Sequence, residues 1–414
     1  MSLSLRWVGR EQAEIVGRVR ALCYSPLAKN IPDYQKYLAA DERVPADDLL
    51  LAERDGAALG TATAYPMTMW VRGGPVACQG VAFVGTIKTH RRSARTSADD
   101  PGIATALMRE TLRRARDRGQ VVSALMPFRA TFYEHFGYGL VERRNLWTIP
   151  LSVLPHGPAD GFAFIEGDAD EPRRACRQRM VEAGQCDIER PAGSWLHHTK
   201  QEDDGWTVAD QPGGPGSPMN SWAHFDQEKV NGKDHLKVYD LACDSPAALR
   251  RLLCFFATLR DQYWAVQFAL PADLPINLWL REPQLPHRLV NHDTAGLQPQ
   301  TRMQIRVLDH AAFLGAMRTL PANVRGAATV AVAETEGHVS RLRFEVADGQ
   351  AMATPTTAEA DVECTDRTWA SVVAGDVSAS TAARMGLIKV ARAEALIALD
   401  AFAAGPAPFC NEYF

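Results

Sequence analysis

The amino-acid sequence predicts an α/β fold with mixed sheets in its first two sections and a separate α+β unit at its end. Three observations support this. A chain of 414 residues is too long for one ordinary hydrophobic core, so two or three domains are expected. Helical and extended patterns alternate through the first section. From Thr301 onward the pattern changes to a strand, a helix, a β-meander and then several helices.

Composition and charge exclude several classes of partner. A hydrophobic content of 46% with 23% charged residues is typical of a soluble globular protein. A formal charge of −4 gives no electrostatic reason to expect nucleic acid or an anionic membrane. The N-terminal stretch lacks the apolar core of a secretory signal, and no segment approaches the roughly 20 apolar residues of a membrane span. The sequence therefore predicts a cytoplasmic protein without nucleic-acid or membrane partners.

The cysteines and histidines give no metal signal. Eight cysteines are scattered along the chain, none in a CxxC pair, and no His/Cys cluster has zinc spacing. We expect reduced thiols and no metal.

Residues 1–150 are predicted to form the first domain, with a mixed sheet. Two extended runs meet at Asp55-Gly56, which is a strong hairpin signal. An amphipathic helix begins near Gly102 and is expected to end at Gly119. The aromatic segment "TFYEHFGYG", residues 131–139, predicts a short helix ending on Gly137.

Residues 151–294 and 295–414 are predicted to form two further domains. In the middle section the helix and strand signals recur at about the size of the first domain, which suggests a second, degenerate copy of its fold. Residues 194–209 are predicted to be extended, and a turn is expected at Asn231-Gly232. In the last section, "AEALIALDAFAAG" either lines an apolar tunnel for a lipid or packs the core.

A candidate anion site lies in the first domain. An extended run feeds a polar loop and then the helix that begins at Gly102, with Arg91 and Arg92 just upstream. The N-terminus of a helix offers unpaired N–H groups and a partial positive charge, and glycine allows close approach of a pyrophosphate. The pattern indicates phosphate binding, although many loops carry arginines.

The wider arrangement "VGTIKTHRR…GIATALM", then "SALMP", then "FYEHFGYG", resembles the signature of the GCN5-related N-acetyltransferases (GNAT). It is most similar to the enhanced intracellular survival (Eis) subgroup. This resemblance implies two tandem GNAT domains, of which only the first binds acetyl-CoA, followed by a sterol-carrier-like domain. It also implies an N-acetyltransferase that acts on amines, with aminoglycosides or other polyamines as the first expectation, and a homo-oligomer, hexameric in relatives.

The resemblance also implies roles for individual residues. Tyr133, rather than Tyr138, would be the general acid, and the C-terminal carboxylate of Phe414 the general base. Asp33 and Glu412 are candidates for attracting a cationic acceptor. The residues expected to hold acetyl-CoA through the pantetheine arm or the pyrophosphate are Val84, Thr86, Arg91, Arg92, Gly102, Ile103 and Ala104.

The sequence departs from the family pattern at "SARTSADDP", residues 93–101, which is inserted between the arginines and the glycine-led helix. Two alternatives follow. The insertion bulges outward and leaves the pyrophosphate site intact, or the site is remodelled. The second alternative would fit a related scaffold that uses another acyl donor or catalyses a reaction without coenzyme A. A lipid-binding role of the last domain is a third hypothesis.

Overall fold

The computed structural model describes residues 3–44, 47–91, 101–165, 171–199, 205–214, 216–289 and 292–414. Within these residues the strands form three sheets. In the described part of the chain, no helix combines the length and the apolar character that crossing a bilayer requires.

The first section supplies most of the first sheet. The hairpin turn at Asp55 and Gly56 is confirmed, because both residues have positive φ, 53° and 77°, between two antiparallel strands. The elements of this section are β1 (Ser4–Val8), α1 (Ala13–Tyr24), α2 (Ile31–Ala39), β2 (Leu49–Arg54), β3 (Ala57–Val71), β4 (Gly74–Thr86), α3 (Ile103–Asp117), β5 (Val122–Leu125), α4 (Ala130–Glu134), β6 (Gly139–Leu140) and β7 (Arg143–Pro150).

The middle section follows a similar order from its first strand to the strand after its last helix, with a short strand inserted between its first two helices. Its elements are β8 (Phe162–Ile165), α5 (Glu171–Ala183), β9 (Asp187–Ile188), α6 (Ala192–Thr199), β10 (Trp206–Asp210), β11 (Ser221–Val230), β12 (Lys233–Cys243), α7 (Pro246–Thr258), β13 (Ala265–Pro271) and β14 (Gly296–Thr301). The expectation of an extended run over residues 194–209 was wrong at its start, since residues 194–199 belong to α6. The turn at Asn231-Gly232 is confirmed.

The two sheets share one strand order. The first runs β1-β2-β3-β4-β5, and the second runs β8-β10-β11-β12-β13. In each, the step from the fourth to the fifth of these strands is the parallel one, and a helix, α3 or α7, connects them. The second sheet is therefore a copy of the first, as the sequence suggested.

The last section begins with β15 (Gln304–Val307) and builds the third sheet, which runs β18-β17-β16-β19-β20. Its remaining elements are α8 (His310–Gly315), β16 (Gly326–Ala333), β17 (Val339–Ala347), β18 (Gln350–Pro355), β19 (Val362–Thr365), α9 (Asp366–Val373), α10 (Ala379–Arg384), β20 (Lys389–Val390) and α11 (Ala395–Asp400). In α11, Ala395, Ala398 and Leu399 are buried in the main core, which supports packing over a tunnel lining for this segment.

Short strands tie the sections together. β14 pairs with β7 in the second sheet, whereas β15, only two residues later, pairs with β5 and β6 in the first. β9 pairs with β3. One large core consequently joins the α1 face of the first sheet to the third sheet, while a smaller core lies between the first sheet and α3.

Candidate functional site

The candidate site begins where β4 extends beyond the end of β5. The parallel pairing of these strands runs from Cys78 opposite Val122 to Val81 opposite Leu125, where β5 ends. β4 continues to Thr86, paired with β3 on its other side. Along Ala82–Thr86 no described strand covers the edge on the β5 side. Because backbone N–H and C=O groups need partners, this edge can pair with an extended ligand.

A β-bulge changes the direction of the backbone groups along this edge. Thr63 lies opposite Ala82 and Thr61 opposite Gly85, so β4 carries one more residue than β3 across this step. Phe83 adopts φ of +51°, a left-handed conformation that non-glycine residues rarely adopt. Bulges bend a strand and redirect its groups, and this one lies directly before Val84, Gly85 and Thr86.

The N-terminus of α3 faces the same opening. Gly102 is its N-cap with φ of +78°, no side chain of the described residues caps the helix, and its first turn has no acidic residue. The first amide groups of a helix have no intrahelical acceptor, and the helix dipole is positive there. The backbone of Gly102–Ala104 can therefore accept an anion.

A cavity of about 950 Å³ joins the β4 edge to this helix end. Four cationic side chains line it, those of Arg54, Lys88, Arg91 and Arg129, and none of the described lining residues is a carboxylate. This charge favours a ligand that carries several negative charges. The other lining residues are Cys23, Tyr24, Val84, Gly85, Thr86, His90, Pro101, Gly102, Ile103, Ala104, Thr105, Phe128, Thr131, Phe132 and His135.

Two of the cations also fasten the end of α1. Arg91 donates to the carbonyls of Thr86 (3.3 Å) and Cys23 (3.0 Å). Lys88 donates to the carbonyls of Leu22 (3.0 Å) and Ser25 (2.5 Å). Cationic side chains at the C-terminus of a helix can donate hydrogen bonds to carbonyls that have no intrahelical partner. Arg91 and Lys88 therefore stabilise the cavity wall and also contribute positive charge to the cavity.

The structure thus brings together six of the seven residues expected to hold the cofactor, namely Val84, Thr86, Arg91, Gly102, Ile103 and Ala104. Arg92 and residues 93–100 of the insertion lie outside the described residues. Pro101, the last residue of the insertion, is part of the cavity wall.

Tyr133 is buried in the core beneath α3 and is only 5% exposed. Its ring lies 4.9 Å from that of Phe132, which lines the cavity. Among the described residues its hydroxyl has no hydrogen-bond partner, whereas the Tyr138 hydroxyl lies 2.7 Å from that of Ser123. Burial raises the pKa of Tyr133 to about 12, so the phenol keeps its proton at neutral pH.

Tyr24 is a cavity residue that sequence reasoning missed. Its hydroxyl lies 2.9 Å from the point where a Cβ on Gly85 would stand, next to the exposed edge of β4. Burial, together with the nearby Cys23 and Tyr133, raises the pKa of Tyr24. No sequence signal singles it out, because it ends α1 as an ordinary aromatic residue.

Phe414 is docked rather than frayed. It is 8% exposed and belongs to the core on the α1 face of the first sheet. Its ring atom Cδ2 lies 3.0 Å from the Cβ position of Gly80 on β4, beside Met67. Tyr133 belongs to the core on the opposite, α3 face. The last residue of the sequence and the tyrosine therefore approach the sheet from its two faces.

The two acidic candidates differ. Asp33 is exposed on α2. Glu412 is 2% exposed, and both of its oxygens are used, by Arg190 (2.7 Å) and His198 (3.0 Å). An approaching amine would find Glu412 already paired.

The second sheet lacks the anion site. Only two residues separate β12 from α7, and the side chain of Ser245 caps α7 by accepting from the amide of Ala248. The N-terminus of α7 is thus capped by a side chain and begins with proline, and it lacks a glycine that would let a pyrophosphate approach the backbone.

Known domain families match three successive stretches of the chain. Residues 11–141 and residues 186–307 each match a family described as an acetyltransferase (GNAT) domain. Residues 312–411 match the sterol carrier protein domain.

Similar proteins span the whole chain. An uncharacterized N-acetyltransferase of Streptomyces avermitilis is 24% identical over 408 residues, which is 93% of this chain and 91% of that protein. A GCN5-related N-acetyltransferase from Anabaena variabilis has a similar structure, with a TM-score of 0.83 at 18% identity and full coverage of both chains. Eis1 from Mycobacterium abscessus gives a TM-score of 0.78 at 22% identity, again with full coverage of both. At these identities the two structures establish the shared fold.

Proposed function

Since the chain is a GNAT-type acetyltransferase, with two GNAT domains followed by a sterol carrier protein domain, we propose that its first domain transfers the acetyl group of acetyl-CoA to an amine. The observation that carries this proposal is the cavity that joins the uncovered edge of β4 to the N-terminus of α3. An extended pantetheine arm and a pyrophosphate need these two features side by side.

In this proposal each part of the cavity has one task. The backbone of Val84 and Thr86 pairs with the pantetheine arm. The amides of Gly102, Ile103 and Ala104 hold the pyrophosphate, with Arg91 and Arg92 neutralising its charge. The cationic lining found among the described residues supports this assignment, because coenzyme A is a polyanion.

The proposed chemistry needs one proton acceptor and one proton donor. The amine must lose a proton to attack the thioester carbonyl, and the carboxylate of Phe414 accepts it. As the new C–N bond forms and the C–S bond breaks, the phenol of Tyr133 protonates the departing thiolate, and the second proton that the attacking nitrogen loses on becoming an amide restores the phenol. The hydroxyl of Tyr133 has no hydrogen-bond partner among the described residues and, with a pKa of about 12, carries its proton at neutral pH, so it is free to donate. No covalent enzyme intermediate is required.

We propose a multi-amine acceptor, such as an aminoglycoside or a polyamine, by analogy with the family that the sequence resembles. The described cavity wall is cationic and would repel a cationic acceptor. The acceptor would therefore approach the acetyl group from outside this cavity. The exposed carboxylate of Asp33 can attract a cation, whereas the carboxylate of Glu412 is already paired with Arg190.

The test is acetyl-CoA turnover against a panel of aminoglycosides, polyamines and simple amines. We expect activity in the wild type, and a fall in kcat of roughly 10²–10⁴-fold for Tyr133→Phe, as for removal of a general acid. An alanine appended after Phe414 should lower kcat similarly, because it moves the carboxylate. Tyr37→Phe, at a tyrosine that is 75% exposed, is the control. An inactive wild type, or full activity of both altered proteins, contradicts the proposal.

A further inference from the structure

The charged cluster that holds the end of the chain lies in the second GNAT domain. Arg190 lies between β9 and α6, and its side chain is 1% exposed. Its Nε donates to Glu412 (2.7 Å) and its Nη1 donates to Asp240 (2.7 Å). The second oxygen of Glu412 lies 3.0 Å from Nε2 of His198.

These charges are maintained although they are buried. The neighbouring Arg190 and His198 hold the pKa of Glu412 at about 2 against the opposing effect of burial. The pKa of Asp240 is likewise lowered and that of Arg190 raised. Buried ion pairs of this kind seldom stabilise a fold more than apolar residues would, but they can fix one arrangement among several.

The residues next to Glu412 are restrained by the same domain. Asn411 donates from its side chain to Asp240 (2.9 Å) and to the carbonyl of Leu241 (3.1 Å). Its backbone amide donates to Asp187 (3.1 Å), which is itself paired with Arg177. These three contacts of Asn411, together with those of Glu412 to Arg190 and His198, fix residues 411 and 412.

The tail occupies the second domain's counterpart of the cofactor edge. β12 pairs with β13 only from His235 to Lys237, although β13 continues to Pro271. The two strands therefore separate after Lys237, and β13 leaves the later edge of β12 uncovered, as β5 leaves Ala82–Thr86 uncovered. A register shift between β11 and β12 places one extra residue just before Asp240, as the bulge in β4 does before Gly85. Asn411 binds at Asp240 and Leu241, the positions that follow this bulge.

The geometry fixes the last residue as well. Only Tyr413 lies between Glu412 and Phe414, and an extended chain covers at most about 7 Å over these two residue steps. The position of Glu412 therefore limits where the carboxylate of Phe414 can lie. The ring of Phe414, packed at Gly80, supplies a second anchor on β4.

We propose that Arg190 is a positioning residue for acyl transfer. With Asp240 and His198, it holds the tail on the former cofactor edge of the second GNAT domain and so sets the place of the Phe414 carboxylate. This inference rests on the proposed function, in which that carboxylate is the base, and it gives the second domain a task in the reaction of the first.

The experiment compares Glu412→Gln and Arg190→Met with the wild type in steady-state acetyl transfer. We expect kcat to fall by roughly 10²-fold, since misplacing a reacting group by an ångström has effects of that size. KM for acetyl-CoA should stay unchanged, because the cavity is untouched. Adding an alanine after Phe414 to Glu412→Gln should lower kcat no further, as both changes displace one carboxylate.

The matched control is Arg251→Met. Arg251 pairs with buried Asp210 in the same domain (2.8 Å) and has no contact with the tail among the described residues. It should lose stability but keep its kcat. If Arg190→Met does not fold, Glu412→Gln alone decides.

The outcomes separate the two proposals. A folded Glu412→Gln protein with wild-type kcat overturns the role of Arg190 but leaves the acyl-transfer proposal standing. The same holds if the effects of Glu412→Gln and of the added alanine multiply in the protein that carries both changes. An inactive wild type overturns the acyl-transfer proposal and this inference with it.

Discussion

Gly85 shows how a single residue shapes the cavity. A Cβ at this position would lie 2.9 Å from the Cβ of Cys23 and 2.9 Å from the hydroxyl of Tyr24. These distances are shorter than normal contacts, so the end of α1 can approach β4 only because residue 85 has no side chain. The site's narrow wall depends on this glycine.

We expect Gly85→Ala to weaken acetyl-CoA binding and to destabilise the protein by about 1–3 kcal/mol, as overpacking does. Calorimetric titration with acetyl-CoA and urea unfolding measure the two effects. Gly315→Ala is the control, because nothing lies within 4 Å of its Cβ position. Unchanged affinity in Gly85→Ala would show that the β4 edge is not the binding surface.

The roles of Tyr24 and Tyr133 can be distinguished by replacing each of the two tyrosines with phenylalanine. Tyr24 lines the cavity, whereas Tyr133 lies behind the lining residue Phe132 in the core. If Tyr133 is the proton donor, Tyr24→Phe should retain most of the wild-type kcat. A loss in Tyr24→Phe that equals or exceeds the loss in Tyr133→Phe would move the donor role to Tyr24.

At the scale of elements, the N-terminus of α3 makes a prediction in which stability and binding change in opposite directions. Ala104→Asp places a negative charge in the first turn, which should stabilise the helix by about 0.3–1 kcal/mol. The same charge should repel the pyrophosphate and weaken acetyl-CoA binding. Thermal unfolding and calorimetry measure both, with Ala104→Asn as the uncharged control. Affinity equal to that of Ala104→Asn would contradict an anion site here.

Local elements could be predicted from the sequence because their signals are local. The turns at Asp55-Gly56 and Asn231-Gly232 both have the positive φ that their residue types favour. The glycine-led helix α3 also ends as expected, with Gly119 at φ of +65°.

Pairings between distant segments could not be predicted. Nothing in residues 296–307 indicates that β14 joins the second sheet and β15 the first, because strand patterns do not name their partners. The tail is a similar case. The ion pair of Glu412 with Arg190, 222 residues away in the sequence, became visible only in the fold.

At the scale of the whole molecule, the tail links the stability of the fold to pH. Arg190 and His198 lower the pKa of Glu412 from 4.5 to about 2. The folded protein therefore binds this proton less readily than the unfolded chain. The stability that Glu412 contributes is complete above about pH 4.5 and is lost as the pH falls toward 2.

We expect Glu412→Gln to have a lower free energy of unfolding than the wild type at pH 7. The difference should shrink as the pH falls from 4.5 toward 2. Urea unfolding at a series of pH values measures this, with the exposed carboxylate of Glu345→Gln as the control. A difference that stays constant down to pH 2 would show that the buried charge of Glu412 does not hold the tail.

The most direct measurement for the first domain is a crystal structure with coenzyme A bound. We predict that the pantetheine arm lies along β4 at Val84–Thr86, with the pyrophosphate at Gly102–Ala104 and the sulfur between Tyr133 and the carboxylate of Phe414. Coenzyme A that binds elsewhere, or a protein that does not bind it at millimolar concentration, would contradict this account.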